Sequence, residues 1–191
     1  MTIKKICVFC ASSPNLSQDY LDSARHLGNT IAEKGFSLVY GGGKCGLMGE
    51  VAKGALEKDG YVLGVTPSFL EYDNVVFYDC SKLIRTETMR ERKKIMEEEA
   101  DAFIIMPGGI GTFEELYEVL TLKQLKRHMK PIIIYNYNNF YKTTYDMIKD
   151  AIEKHFISKD VLKLFTVAKN EEDIFKQLEE YVPFSYDKFE Y

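Results

Sequence analysis

Residues 102–115 read A-F-I-I-M-P-G-G-I-G-T-F-E-E. The apolar run at its start shows no polar alternation, as a strand covered on both faces should. The glycines suit a tight turn, and Phe113, Leu116 and Leu120 then recur at helical spacing. A strand that passes through a glycine turn into a helix is the unit from which parallel α/β sheets are built.

The same succession recurs on both sides of this stretch. Apolar runs at 6–10, 37–40, 61–65, 102–106, 131–135 and 165–168 read as strands, with a weaker one within 75–84. Between them, Tyr20, Leu21, Ala24, Leu27 and Ile31 predict a helix that stops at Gly35. Leu47, Met48, Val51, Ala52, Ala55 and Leu56 predict another ending before Gly60, and residues 140–156 and 171–181 supply two more. The expectation is an α/β protein with a doubly wound parallel sheet, Rossmann-like, in three α-β-α layers. One domain spans 1–182, and 183–191 form an aromatic tail, frayed or packed on a partner.

Composition narrows the function. The 191 residues are 46% hydrophobic and 28% charged, which is ordinary for a globular chain. A net charge of -4 provides no field for nucleic acid or a membrane surface, so neither is expected as a partner. No run approaches the length of a membrane span, and the start lacks a signal-peptide core, so a cytoplasmic location is expected. Cys7 and Cys10 have C-x-x-C spacing, but on a strand they point to opposite faces and read as buried thiols. His26, His128 and His155 are scattered without ligand spacing, and neither a metal nor a cofactor is expected.

Ligands of open α/β sheets bind beyond the carboxyl ends of the strands. Three small-residue segments fall there: C-A-S-S from Cys10, G-G-G-K-C-G from Gly41, and P-G-G-I-G-T from Pro107. The second satisfies G-x-G-x-x-G, yet the next strand ends V-T-P-S without the acid that a dinucleotide site places there, and neither loop continues to G-K-[ST]. What remains is a pair of loops, with Gly42 and Gly43 in one and Gly109 and Gly111 in the other, able to turn backbone amides toward a phosphate at a helix start. A nucleoside monophosphate or a sugar phosphate fits such a provision.

Two charged residues stand out. Thr112 and Glu115 have the spacing of a capping box, so Glu115 is either a cap or a catalytic carboxylate. In T-E-T-M-R-E-R-K-K-I-M-E-E-E, most charges pair along one helix face, as Lys93 with Glu97, Lys94 with Glu98 and Glu91 with Lys94. Arg92 is different: it shares a stripe with Met89, Ile95 and Met96 and has no acid three or four residues away. It must snorkel outward or meet an anion from elsewhere in the fold.

Taken together, P-G-G-I-G-T-F-E-E, M-R-E-R-K and Y-G-G-G-K-C-G-L-M-G resemble the LONELY GUY (LOG) family of cytokinin-activating enzymes, with signature P-G-G-x-G-T-x-x-E. The similarity spans nearly the whole chain. It implies a doubly wound nucleotide-binding fold and a phosphoribohydrolase acting on adenosine monophosphate or its N6-substituted cytokinin forms. The alternatives it leaves are a broader purine nucleotide nucleosidase and a non-catalytic nucleotide or molybdenum-cofactor carrier. It implies a homodimer as well. By resemblance, Arg92 and Glu115 are catalytic. Substrate contacts fall on Asn74, Lys93, Gly109, Ile110, Gly111, Thr112, Phe113, Glu114 and Thr121, with Gly42 and Gly43 in the other loop. Asn74 stands where a substrate-contacting Glu aligns, and Arg90 where many members carry His. The family's older label, lysine decarboxylase, requires a lysine carrying pyridoxal phosphate, and no lysine here has a recognisable setting for it.

Overall fold

The computed structural model describes residues 2–73 and 75–184. Seven strands form one sheet: β1 (Lys5–Phe9), β2 (Ser37–Tyr40), β3 (Val62–Pro67), β4 (Lys82–Thr86), β5 (Ala102–Ile105), β6 (Ile132–Tyr135) and β7 (Thr166–Ala168). They lie in the order β4-β3-β2-β1-β5-β6-β7, and every neighbouring pair is parallel. The chain therefore winds one way from β1 to β4 and the other way from β5 to β7. The order reverses between β1 and β5, which is where such sheets open a crevice at their carboxyl ends.

Among the described residues six α-helices cover the sheet: α1 (Gln18–Glu33), α2 (Gly46–Glu57), α3 (Met89–Glu99), α4 (Ile110–Gln124), α5 (Lys142–Glu153) and α6 (Glu171–Glu179). Successive β1 residues point to opposite sides, as strand geometry requires. Ile6, Val8 and Cys10 pack with Leu27 of α1, Val51 of α2 and Phe175 of α6. Cys7 and Phe9 pack on the other face with Met96 of α3, Leu116 of α4 and Ile148 of α5. The three layers are thus as expected, and the C-x-x-C thiols are buried on opposite sides and unpaired.

Two elements differ from expectation. The strand anticipated within 75–84 begins only at Lys82, because the preceding segment is tied to the glycine loop after β2. The Lys44 amide donates to Val75 O (2.8 Å), the Phe77 amide donates to Gly42 O (2.8 Å), and Gly43 and Val76 form an isolated antiparallel bridge. Helix α5 is shorter than 140–156 because left-handed residues stop it at both ends. Asn138 and Asn139 precede it at φ 48° and 60°, and His155 follows at φ 62°. Of the tail, Phe184 packs on the α3–α5 face of the core and lies under Lys163, while 185–191 fall outside the described residues. Among the described residues no helix is long and apolar enough to cross a membrane.

The turn from α4 into β6 is held by a half-buried imidazole. His128 Nε2–H donates to Val119 O (3.0 Å) and its Nδ1 accepts from the Lys130 amide (3.1 Å), which requires the neutral ring. Burial pushes this histidine from 6.5 down to about 4. The folded state then holds fewer protons than the unfolded one between those values, so the contribution is intact above pH 6.5 and is lost as pH falls toward 4. His128→Gln keeps a donor and an acceptor without a proton to gain. Its urea midpoint should fall less than that of the natural chain between pH 7 and pH 4.5; equal falls would contradict this role for His128.

Candidate active site

The site begins with the start of α3. Thr88 caps the helix: its hydroxyl accepts from the Glu91 amide (3.2 Å), and Glu91 Oε2 accepts from the Thr88 amide (3.3 Å). This capping box fixes the first turn and turns Arg92 toward the sheet. Arg92 does not snorkel: it is only 6% exposed. Its Nε donates to Val65 O at the end of β3 (3.1 Å), and its Nη1 donates to Glu115 Oε1 (3.0 Å).

The anion that Arg92 lacks on its own helix is therefore Glu115 of α4. The capping box expected at Thr112 and Glu115 does not form, because α4 starts earlier, with Gly109 as its N-cap and no side-chain cap. Gly108 makes this start possible, since the Thr112 side chain occupies the space a Cβ there would need, with Oγ1 at 2.1 Å from that position. Thr112 then lies inside the first turn, and Glu115 faces the sheet at 8% exposure. Burial pushes the Glu115 carboxyl up, and the Arg92 guanidinium pulls it back toward the charged form.

The pair forms part of the wall of a cavity of about 450 Å³ at the switch point of the sheet. That volume lies within the roughly 300–1,000 Å³ usual for small-molecule sites. All three small-residue loops line it: Cys10–Ser13 after β1, Gly41–Gly43 after β2, and Gly109–Thr112 at the start of α4. The two helix starts behind these loops are not equivalent. In α2 the Met48 amide already donates to Ala11 O (3.1 Å). The first-turn amides of α4 have no intrahelical acceptor and no side-chain cap, so the positive end of α4 is open to an anion.

The candidate substrate residues divide accordingly. Gly42, Gly43, Gly109, Ile110, Gly111, Thr112 and Glu114 line the cavity with Arg92 and Glu115. Lys93, Phe113 and Thr121 do not. Lys93 pairs with Glu114 and with Glu118 (2.6 Å), across to α4 instead of along α3 to Glu97. Phe113 stacks on Phe140 and meets Tyr141 edge-on. The Thr121 hydroxyl donates to Tyr117 O on the exposed side of α4. Asn74 lies outside the described residues.

Other residues were not among the candidates. Ser12 and Ser13 line the cavity, and their position just past β1 was the available signal. Tyr141 donates its buried hydroxyl to Met106 O (2.7 Å), bracing the start of the Pro107–Thr112 loop, and no local pattern marks it. No lysine is among the residues lining the cavity, so a Schiff base to pyridoxal phosphate has no candidate there.

Removing one member of a buried ion pair strands the other charge. Arg92→Ala should lower unfolding stability in urea by about 3 kcal/mol. Adding Glu115→Gln to that variant should restore most of the loss. Two variants of equal stability would show that the stranded carboxylate is not the source of the cost.

The family described as "Possible lysine decarboxylase" matches residues 48–178. The cytokinin riboside 5'-monophosphate phosphoribohydrolase LOG2 of Arabidopsis thaliana is 39% identical over 180 residues, covering 94% of this chain and 84% of its own length. The probable cytokinin riboside 5'-monophosphate phosphoribohydrolase LOGL5 of Oryza sativa subsp. japonica is 38% identical over 184 residues, 96% of this chain and 75% of its own. Among solved structures, the molybdenum cofactor binding protein of Rippkaea orientalis superposes with a TM-score of 0.71 at 22% identity, covering 94% of this chain and 97% of that one. That likeness speaks for the fold alone. With the sequence matches extending over nearly all of its length, the chain belongs to the LOG family, the group described as possible lysine decarboxylases.

Proposed function

We propose that this protein hydrolyses the N-glycosidic bond of adenosine 5'-monophosphate or of N6-substituted cytokinin riboside 5'-monophosphates, releasing the free base and ribose 5-phosphate. The observation that carries the reading is the buried Arg92–Glu115 pair in the wall of a cavity that the open N-terminus of α4 also lines. Such a cavity offers one end to a phosphate and the other to a developing cation. A carrier protein needs the loops but not the pair. The names of the relatives agree with the hydrolase.

In this reading the first-turn amides of α4 and the Thr112 hydroxyl hold the 5'-phosphate, and its binding energy fixes the sugar in place. The bond from C1' to the base nitrogen breaks with its electron pair leaving on the base. Positive charge develops on the ribose, as in glycoside hydrolysis. The Glu115 carboxylate stabilises that charge and orients a water toward C1'. The water oxygen bonds to C1', and its proton is passed on to the departing base. Arg92 holds Glu115 ionised and aimed, and as a permanent cation it is not the proton donor. Leu70, Val75, Met89 and Ile110 supply an apolar wall for the base and for an alkyl group on N6.

A homodimer is part of the proposal. Tyr117 and Thr121 on α4 and Leu125 at its C-cap form an exposed stripe at helical spacing, beside the exposed mouth residue Ile110. Thr121, outside the cavity of its own protomer, would then meet substrate only from a partner. Light scattering should give twice the chain mass, and a monomer at assay concentration would remove this part of the reading.

The pure protein should convert adenosine monophosphate or its N6-isopentenyl form to free base and ribose 5-phosphate, as followed by chromatography. Glu115→Gln should lose turnover by at least about 100-fold while still binding nucleotide in calorimetry. Nucleotide binding without release of base from any of a broad nucleotide panel would reject the hydrolase.

A further inference from the structure

We propose that Gly41 is a positioning residue for Arg92: it is the flat seat on which the guanidinium rests. The loop G-G-G-K-C-G has the look of a phosphate cradle, but its first glycine answers to a different constraint. A Cβ on Gly41 would stand 1.8 Å from Arg92 Nη2, 2.9 Å from Arg92 Cζ and 2.5 Å from Met48 Cε. The backbone of Gly41 is not left-handed, unlike that of Gly42 at φ +73°, so conformation does not require glycine there. Space does.

The two neighbours of Gly41 differ in their ability to yield. Met48 presents the end of a flexible side chain, which can swing away at small cost. Arg92 cannot. Its Nε is held by Val65 O and its Nη1 by Glu115, so the remaining nitrogen and the ring-like face beside it are fixed against the loop. A methyl group at Gly41 would push the guanidinium off this seat and tilt Glu115 with it. Gly43 is under no such demand, since its nearest neighbours are Met48 atoms at 3.1 Å and beyond. Adjacent glycines in one loop thus serve separate ends: one makes room for the cation that sets Glu115, and one takes the left-handed turn.

This inference rests on the reading of Arg92 and Glu115 as the catalytic pair, and its test separates the two. Gly41→Ala is made in the natural chain and in an Arg92→Ala, Glu115→Gln background, where guanidinium and carboxylate charge are both gone. In the natural chain kcat on adenosine monophosphate should fall about 100-fold, the loss that a displacement near 1 Å brings, with KM within about threefold. The melting temperature should fall as well. In the doubly substituted background the same alanine should lower the melting temperature by less than about a third as much, because the clash with the guanidinium is gone and only the flexible end of Met48 must move. An unchanged kcat in Gly41→Ala, or equal thermal losses in both backgrounds, overturns the proposal. The thermal comparison needs no substrate, so a natural chain without turnover rejects the hydrolase while the melting temperatures still decide the seat. If Gly41→Ala folds only in the substituted background, the seat is supported; if it folds in neither, the proposal fails.

Discussion

Arg92 and Glu115 sit opposite one another on two helices, both almost fully out of water, and much of the architecture serves to make that arrangement tolerable. Each charge alone would be costly to bury. Together they satisfy each other, and the Val65 carbonyl takes a further guanidinium donor. In the proposed reaction the cost of burial is what makes the carboxylate useful. A glutamate in open water would be screened, whereas one held in a dry wall acts at close range on charge that develops beside it.

The fold brings the two helices into register without any direct link in sequence. Helix α3 descends into β5, and α4 leaves the same strand at its other end, so both pack against one face of the sheet. Thr88 and Glu91 set where α3 begins, and the bare Gly108 sets where α4 begins. Lys93 then bridges to Glu114 and Glu118 one residue further along α3, which ties the same helices together beside the Arg92–Glu115 pair. That cluster leaves Glu97 among acids, and burial with the neighbouring Glu118 pushes its carboxyl up to about 7. The bridge is thus a scaffold contact between the two helices, which touches the cavity wall through Glu114.

Much of this was legible in the chain. Two-sided burial makes parallel strands read as apolar runs, so six of the seven were placed from pattern alone; β4, an edge strand with the mixed run K-L-I-R-T, was located only loosely. Arg92 was marked by a positive charge on an apolar stripe, and its need for a distant anion followed from the absence of local acids. The identity of that anion depended on where α4 starts. Thr112 to Glu115 and Thr88 to Glu91 share one spacing, and only the packing of Thr112 on Gly108 shows which of them caps a helix. The direction of Lys93 and the bracing by Tyr141 are tertiary facts with no local signature. The role of Gly41 was hidden for the opposite reason, since its motif suggests a different use.

The proposed hydrolysis requires Glu115 to be a buried carboxylate that is charged when it acts. A ¹³C NMR titration of the Glu115 carboxyl in the free enzyme, set beside the acid limb of kcat/KM, examines that directly. The two should give the same midpoint, and it should lie above the ordinary value of 4.5 because burial outweighs the pull of Arg92. A Glu115 that titrates at or below 4.5, or an acid limb that does not follow its ionisation, would contradict the account.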